Sequence, residues 1–454
     1  MSFASLLSED RLENELPDKK PRYTEAEARA EAERCLYCVD APCIKACPTE
    51  IDIPTFIQKI ATGNVRGSAR TIFEQNLLGV SCARVCPVEV LCVGSCVYNG
   101  WGRDPIQIGR LQRFATEAAT APGQPPLLTP KPKTGKKVAC VGGGPGSLAC
   151  AGYLALEGHT AVVFEKRGAP GGLNTTGIAP YKLHAHESLA EVDWLVELGV
   201  EIKTGVEVAA DDGPGKVSAK KLLADYDAVF FAVGLGTDSS LGVPGEEGPG
   251  VVGATAWIEQ MKLESTRADG KKTLAGKRVV VVGGGNTAID VARECALLGA
   301  RDVAMVYRRG PADMSGYAHE MEGARCESVR LVAHAQPVAF VRDAAGALTA
   351  VRVAETDASG KPVAGKEYEI PCDVAAMAIG QAKLSGVAAL FDGVATDAKG
   401  RVVVDAATCR TGNPKVFAGG DCVNGGKEVV NAVADGRNAA RAMHADFSGG
   451  ASHG

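Results

Sequence analysis

Long apolar runs, an export signal and an excess of positive charge are all missing from this sequence of 454 residues. No apolar run approaches the ~20 residues that a transmembrane helix needs. The opening stretch MSFASLLSEDRLENELPDKK is polar and acidic, unlike a signal peptide. The net charge is −5 with both signs interspersed, so the sequence carries no nucleic-acid footprint. We therefore expect a cytoplasmic protein that binds neither membranes nor nucleic acid.

Aromatic residues are scarce as well, at 5% of the chain, whereas glycine is abundant with 55 residues. Glycine is expected where a backbone must approach a cofactor closely. The sequence also offers no Ser/His/Asp or Cys/His set for nucleophilic catalysis. These features predict chemistry that resides in bound cofactors.

Cysteine is concentrated near the N-terminus. Closely spaced thiolates ending in Cys-Pro are typical of iron–sulfur sites, and two four-iron clusters need eight ligands. Zinc is less favoured because the segment has only one Cys-x-x-Cys pair. Disulfides are least favoured because nothing indicates export. Eight of the fifteen cysteines lie in RCLYCVDAPCIKACPTE and SCARVCPVEVLCVGSC: Cys35, Cys38, Cys43, Cys47, Cys82, Cys86, Cys92 and Cys96.

A first dinucleotide-binding unit spans residues 137–167, KVACVGGGPGSLACAGYLALEGHTAVVFEKR. It predicts a strand, a glycine turn, a helix, a second strand and an acid. Gly142 permits the tight turn, and Gly144 lets the backbone approach a pyrophosphate at the helix N-terminus. Glu165 stands where a ribose hydroxyl needs an acceptor, and Ser147 replaces the third glycine of the pattern. The unit predicts a dinucleotide-binding site.

A second unit of the same kind spans residues 277–310, KRVVVVGGGNTAIDVARECALLGARDVAMVYRRG. Gly283 and Gly285 occupy the first two pattern positions, followed by Asn286 and Thr287. The second strand ends in Arg308 and Arg309 where an acid would accept from a free 2′-hydroxyl. Paired guanidinium groups favour a 2′-phosphate, so we interpret this unit as an NADPH site, with NADH as the alternative. A solvated basic turn is the other explanation.

Three sequence patterns together resemble the N-terminal part of dihydropyrimidine dehydrogenase: CxxCxxxxCxxxCP, VCPxxxLCxGxC and PIxIGxLQxFA. They are also similar to the small subunit of glutamate synthase. The resemblance implies interleaved ligands: Cys35, Cys38, Cys43 and Cys96 for one [4Fe–4S] cluster, and Cys47, Cys86, Cys92 and the side-chain oxygen of Gln112 for the other. Cys82 would then match a cysteine that is not a ligand. From the residues alone, Cys82 is the stronger candidate, so the choice between Cys82 and Gln112 stays open.

The resemblance extends to the FAD-binding residues. A GGL turn at 171–173 resembles a loop that passes the flavin, and TGNPKVFAGGDCVNG resembles a closing motif whose aspartate hydrogen-bonds the ribityl chain. The predicted FAD-domain residues are Gly142, Gly144, Pro145, Ser147, Glu165, Lys166, Gly172, Leu173, Gly234, Gly380, Gly420 and Asp421. Gly380 ends the apolar segment 369–381, which we expect to return the chain to the FAD domain.

The fold class is therefore α/β. We predict an all-helical iron–sulfur domain (1–122), then two Rossmann-like domains of the glutathione-reductase-like kind. These are the FAD domain (137–255 and 371–454) and an inserted NAD(P)H domain (256–370), and a Pro-rich linker marks the first boundary.

The resemblance implies an electron-input subunit. It oxidises NAD(P)H through FAD and passes electrons through the clusters to a partner with an FMN-binding barrel, which reduces uracil or thymine. We expect the barrel on a partner because no residues remain for one here. This hypothesis is favoured over a glutamate synthase small subunit by three features: LCVGSC, Ser147 and Gln112. A non-catalytic module that kept the fold is a third hypothesis, which the complete motifs disfavour.

Overall fold

The computed structural model describes residues 2–121, 123–264 and 274–449. The N-terminal part is helical, and two α/β parts follow it. This arrangement confirms the predicted fold class. None of the helices in the described ranges is both long and apolar enough to cross a bilayer.

The helical part is made of short helices separated by the cysteine-bearing loops. Three single 3-10 turns, Ala4–Leu6, Leu12–Glu15 and Val88–Val90, accompany them. The helices are α1 (Glu25–Glu33), α2 (Pro42–Lys45), α3 (Ile53–Ala61), α4 (Val65–Phe73), α5 (Gly79–Val85), α6 (Val97–Gly100) and α7 (Ile108–Ala119).

Side-chain caps fix where these helices begin. Thr24 and Glu27 form a reciprocal capping box at α1. Asp52 caps α3 by accepting from the Thr55 backbone N–H at 3.2 Å. Asn64 caps α4 and accepts from the backbone N–H three residues on, at 2.9 Å. The caps leave the intervening loops free to present thiols.

The first α/β part contributes four strands to a five-stranded parallel sheet. Strand β1 pairs with β2 on one side and β6 on the other, so the glycine turn after β1 lies at the centre of the carboxyl edge. Its elements are β1 (Lys137–Val141), α8 (Pro145–Leu156), β2 (Thr160–Glu165), α9 (Leu173–Thr176), α10 (Ala185–Glu197), β3 (Glu201–Thr204), β4 (Glu207–Ala209), β5 (Lys216–Ser218), α11 (Ala219–Asp225) and β6 (Ala228–Phe231).

The second part forms its own parallel sheet and carries a three-stranded antiparallel sheet, β11–β12–β13. Its elements are β7 (Val251–Gly253), α12 (Ala254–Leu263), β8 (Arg278–Val282), α13 (Asn286–Leu297), β9 (Asp302–Tyr307), α14 (Ala318–Cys326), β10 (Arg330–Ala333), β11 (Ala335–Arg342), β12 (Leu348–Thr356), β13 (Pro362–Pro371) and β14 (Val374–Met377).

One expectation about this part is wrong. Segment 369–381 does not return the chain to the first sheet, because β14 pairs with β8 and β7 in the second sheet, whose order is β10–β9–β8–β14–β7. Strand β7 also precedes the predicted start of the insertion. An apolar strand ending in glycine fits either parallel sheet, so composition could not assign it.

The chain returns to the first sheet only at β15, which pairs with β6 and completes the order β15–β6–β1–β2–β3. The two connections between the sheets run side by side: the Gly236 N–H donates to Ala382 O at 2.8 Å, and the Ser239 N–H donates to Gly380 O at 2.9 Å. The closing elements are α15 (Ser385–Ala388), β15 (Val416–Ala418), α16 (Asp421–Asn424) and α17 (Val429–Phe447).

The helical part and the first sheet share one hydrophobic core. Phe56 and Phe73 from the helical part belong to the same buried cluster as Leu148 on α8 and Val433 on α17. The cysteine loops are therefore positioned against the sheet rather than on an independent body.

The N-terminal segment around residues 11–16 contacts both α/β parts. Leu12 and Leu16 belong to the buried cluster of the inserted part. Arg11 and Glu13 form a buried ion pair at 2.7 Å, and Glu13 also accepts from the Ala185 backbone N–H at 2.9 Å, at the start of α10. The polar composition of this segment gave no sign of such burial.

We expect Glu13→Ala to destabilise the protein, because it leaves the Arg11 guanidinium buried without its partner. Breaking a buried ion pair typically costs about 3–5 kcal/mol. The measurement is the thermal unfolding midpoint, with Glu9→Ala as the matched control, since Glu9 is exposed in the same segment. Equal midpoints for the two variants would contradict the role of this ion pair.

Candidate iron–sulfur and dinucleotide sites

Two cavities in the helical part collect the clustered cysteines, and each draws on both runs of the sequence. Cys35, Cys38, Cys43 and Cys96 line the first cavity. The second is lined by Cys47, Cys82, Cys86, Cys92 and Gln112. Ile53 lines both, so the cavities share a wall. The structure therefore brings the predicted ligands together in the interleaved grouping.

The cavities suit an iron–sulfur cube better than a single ion. In the part of the chain that the structure describes, no three Cys, His, Asp or Glu side chains are arranged to hold one metal ion. A four-iron cube separates its ligands more widely, so thiols spread around a cavity fit it.

The surroundings of Cys43, Cys86 and Cys92 disfavour the thiolate form when no cluster is bound. Burial raises the pKa of Cys43 and of Cys92 to about 12. A hydrogen bond with Cys82 and burial raise the pKa of Cys86 well above its usual range. Metal ligation requires thiolates, so cluster assembly must displace these protons.

Gln112 and Cys82 both remain candidates for the last ligand of the second cavity. Gln112 is buried on α7, and its Nε2 donates to the carbonyl of Gly79 at 2.9 Å. This contact identifies the nitrogen of the amide, because a carbonyl oxygen can only accept and the sole donor of the amide is its NH₂ group. The amide oxygen is therefore the atom available for iron. Cys82 is buried on α5, one turn before Cys86.

The first α/β part and the closing elements carry most of the predicted FAD residues and together are called the flavin-binding half. This half holds helix α5 through a buried carboxylate. Glu191 on α10 accepts from the backbone N–H groups of Val80 and Ser81 at 2.8 and 3.2 Å, and from the Ser81 hydroxyl. These donors lie in the first turn of α5, which leads directly to Cys86. Burial raises the pKa of Glu191 to about 7. No sequence pattern singles out this residue.

The second cavity is the one beside the predicted flavin site. Val430, in the first turn of α17, lines it. The same region carries Asp421, whose carboxylate accepts from the Lys427 N–H at 3.1 Å. The first cavity has Leu36, whose side chain is exposed, among its lining residues.

The first glycine turn has the backbone that a pyrophosphate site needs. Gly142 has φ of 94°, and a Cβ there would lie 2.6 Å from the Ala232 carbonyl oxygen, so only glycine fits. The Glu165 carboxylate is buried and accepts from the Gly143 N–H at 2.6 Å. Ser147, fully buried, directs its hydroxyl to the Val141 carbonyl at 3.4 Å, which accounts for serine in place of glycine.

The remaining predicted FAD residues divide into two groups. Those near the turn are Pro145 in the first turn of α8, Gly172 and Leu173 at the start of α9, Gly234 after β6, and Gly420 before α16. Gly172 lies against Gly144, close enough that a Cβ on Gly172 would be 2.7 Å from the Gly144 Cα. The second group lies away from the turn: Lys166 is exposed, and Gly380 follows β14 of the second sheet.

The second glycine turn repeats this geometry. A Cβ on Gly283 would lie 2.3 Å from the Ala378 carbonyl oxygen. Gly285 is the residue before α13, and Asn286 and Thr287 open that helix. Asn286 Oδ1 accepts from the Tyr317 N–H at 2.9 Å, and the Tyr317 hydroxyl donates to Glu428 at 2.7 Å beside α17. The turn therefore connects to the flavin side of the molecule.

The predicted basic pair lies at the end of β9. Arg308 is exposed, and Arg309 stands over the ring of Tyr307 at 5.6 Å. Arg309 Nε is buried and has no hydrogen-bond partner among the described residues. An anionic ligand would satisfy this donor.

A buried charge network between the two α/β parts was missed by sequence reasoning. Lys182 contacts Asp290 on α13 at 2.7 Å and Glu320 on α14 at 2.9 Å. The Tyr181 hydroxyl donates to the same Asp290 at 2.6 Å. Lys182 and its partners are more than a hundred residues apart, so no local pattern could have paired them.

The comparisons with known proteins agree with these sites. Residues 12–124 match the family described as dihydropyrimidine dehydrogenase domain II, 4Fe-4S cluster, and residues 136–436 match pyridine nucleotide-disulphide oxidoreductase. The glutamate synthase [NADPH] small chain of Escherichia coli (strain K12) is 35% identical over 436 residues, covering 92% of this chain and 91% of that one.

Two further relatives are informative. The NAD-dependent dihydropyrimidine dehydrogenase subunit PreT of Escherichia coli (strain K12) is 34% identical over 440 residues, covering 97% of this chain and 99% of that one. Thioredoxin reductase of T. acidophilum shares the fold, with a TM-score of 0.55 and 23% identity over 68% of this chain and 99% of that one.

The chain belongs to the pyridine nucleotide-disulphide oxidoreductase family and carries the 4Fe-4S domain of dihydropyrimidine dehydrogenase at its N-terminus. It is an NAD(P)H-dependent oxidoreductase that uses FAD and iron–sulfur chemistry.

We expect Cys82→Ser to leave the iron content unchanged and Cys92→Ser to lower it. The two thiols line the same cavity, so the pair is matched for location and substitution. Iron and acid-labile sulfide per chain are the measurements. Loss of half the iron in Cys82→Ser would overturn the assignment of Gln112 as the ligand.

We also propose that Arg308 and Arg309 select NADPH. Each charge-assisted contact to a phosphate contributes about 1.5–3 kcal/mol. Changing both to Ala should therefore raise KM for NADPH by roughly tenfold or more, while KM for NADH changes little. Steady-state kinetics with a dye acceptor measure both constants. A preference for NADH in the unaltered protein would contradict this selection.

Proposed function

We propose that this chain is the electron-input subunit of a larger enzyme, and that it takes electrons from NAD(P)H and delivers them to a redox centre on a partner polypeptide. The observation that carries this proposal is a chain of contacts that leads from the second glycine turn to the two cysteine-lined cavities. The nucleotide turn at Asn286 connects through Tyr317 and Glu428 to the start of α17. Val430 then adjoins the second cavity, and Ile53 joins that cavity to the first.

The residues assigned to the cofactors have distinct tasks. Gly142, Gly144 and the N-terminus of α8 would hold the FAD pyrophosphate, and Asp421 would bind the ribityl chain. Gln112 and the cysteines of the two cavities would hold two [4Fe–4S] clusters. When bound, FAD converts a two-electron hydride donor into a source of single electrons that the clusters can carry.

Buried aliphatic side chains separate these sites from water. Ile53 and Ile57 are buried and line the first cavity, and Val88 is buried at the second. Exclusion of water lowers the local dielectric and limits side reactions of reduced centres with solvent. The protein contributes placement and insulation, and no side chain needs to act as a nucleophile.

For the partner, we propose an FMN-containing subunit that reduces uracil or thymine. The related PreT protein is named as a dihydropyrimidine dehydrogenase subunit. Gln112 lines the second cavity with its amide oxygen available, as the resemblance to that family requires. Ser147 is accommodated at the third glycine position, another feature of the resemblance.

A glutamate synthase small subunit is the second candidate. The match to that chain has a similar identity, 35%, and covers 91% of its length. In that case the electrons would pass to a large glutamate-forming partner.

The test is anaerobic incubation of the purified chain with NAD(P)H and a dye, then with uracil, with and without an FMN-barrel partner. We expect the chain alone to reduce the dye and the pair to form dihydrouracil, because uracil reduction needs a positioned acid beside the hydride donor. Dihydrouracil from the chain alone would overturn the input-subunit proposal. Glutamate formed with a glutamate synthase large subunit, and no dihydrouracil with the barrel partner, would establish the second candidate.

A further inference from the structure

One buried side chain that lines the second cavity has a donor group without a partner. Asn76 lies in the turn between α4 and α5, is fully buried, and lines the cavity together with the cysteines. Its Nδ2 has no hydrogen-bond partner among the described residues. A buried N–H₂ group left unsatisfied costs about 1–3 kcal/mol, a cost that an acceptor on a bound group would offset.

The orientation of this amide is fixed by the backbone. Asn76 Oδ1 accepts from the Leu78 N–H at 3.0 Å. A backbone N–H can only donate, so the oxygen must face Leu78 and the nitrogen must face the other way. Asn76 lines the cavity, and the amide atom that has no partner is therefore a donor, Nδ2.

The turn that carries Asn76 is itself held rigidly. Arg437 on α17 is buried and donates to the Gln75 carbonyl at 3.3 Å and to the Gln75 side-chain oxygen at 2.9 Å. The same guanidinium donates to the Thr49 carbonyl at 2.5 Å, two residues after Cys47. Arg437 thus ties the Asn76 turn and a ligand loop to one helix of the flavin-binding half.

We propose that Asn76 Nδ2 donates a hydrogen bond to a sulfur of the cluster in the second cavity and raises the reduction potential of that cluster. This inference rests on the proposal that the second cavity holds a cluster. Sulfur is the acceptor that a cluster offers at its surface, and hydrogen bonds to sulfur are among the factors that set cluster potentials. The donor stabilises the added negative charge of the reduced state. Asn76 is a positioning residue for electron transfer rather than a ligand.

Asn76→Ser is the principal variant, because a hydroxyl can still accept from the Leu78 N–H but cannot reach as far into the cavity. Asn76→Asp also keeps that acceptor and replaces the donor with a carboxylate oxygen. The matched control is Asn64→Ser, which removes a capping asparagine of the same domain that lies outside both cavities.

The measurement is an EPR-monitored redox titration of the holoprotein, with iron counted in each sample. We expect Asn76→Ser to retain its iron and shift the one-electron equilibrium of one cluster at least tenfold toward the oxidised form, which is about 59 mV. The second cluster should keep its potential, and Asn76→Asp should shift further. Asn64→Ser should match the unaltered protein.

Unchanged potentials in Asn76→Ser with eight irons present would overturn this inference and leave the two-cluster proposal intact. Four irons in the unaltered protein would overturn the two-cluster proposal, and this inference with it. If the variants lose iron, the inference is tested on the unaltered protein by isotope labelling. Side-chain ¹⁵N-labelled asparagine should produce a ¹⁵N coupling to a reduced cluster in pulsed EPR, and its absence would also overturn the inference.

Discussion

The relative position of the cofactor sites depends on one hydrophobic core shared by the helical part and the flavin-binding sheet. Residues as far apart as Phe56, Leu148 and Val433 pack in the same cluster. Protein interiors are close-packed and deform little, so such a core fixes distances between the groups mounted on it. Electron transfer between centres requires this kind of fixed spacing.

Directional hydrogen bonds cross the same boundary and supplement the apolar packing. Glu191 reaches from the flavin-binding half to the first turn of α5, and Arg437 reaches from α17 to the loops on either side of the second cavity. Both groups are buried, and removing either would leave unpaired partners, which is costly in a low-dielectric interior. The second cavity is therefore held by the flavin-binding half on two sides, whereas the first is built by the helical part alone.

Much of this architecture could be predicted from the sequence because it depends on local patterns. The glycine turns after β1 and β8 and the clustered cysteines each follow from short-range geometry. The assignment of β14 could not be predicted, because an apolar strand carries no information about which of two parallel sheets it joins. Asn76, Glu191 and Lys182 were missed for a related reason: their roles come from partners brought close only by the tertiary fold.

The interleaved grouping of ligands is tested most directly by anomalous scattering at the iron edge from crystals of the holoprotein. Two four-iron peaks are predicted, one among Cys35, Cys38, Cys43 and Cys96, the other among Cys47, Cys86, Cys92 and Gln112. Ile53 should lie between them, and the second peak should be nearer to the start of α17. A single peak, or clusters held separately by Cys35–Cys47 and by Cys82–Cys96, would contradict this arrangement.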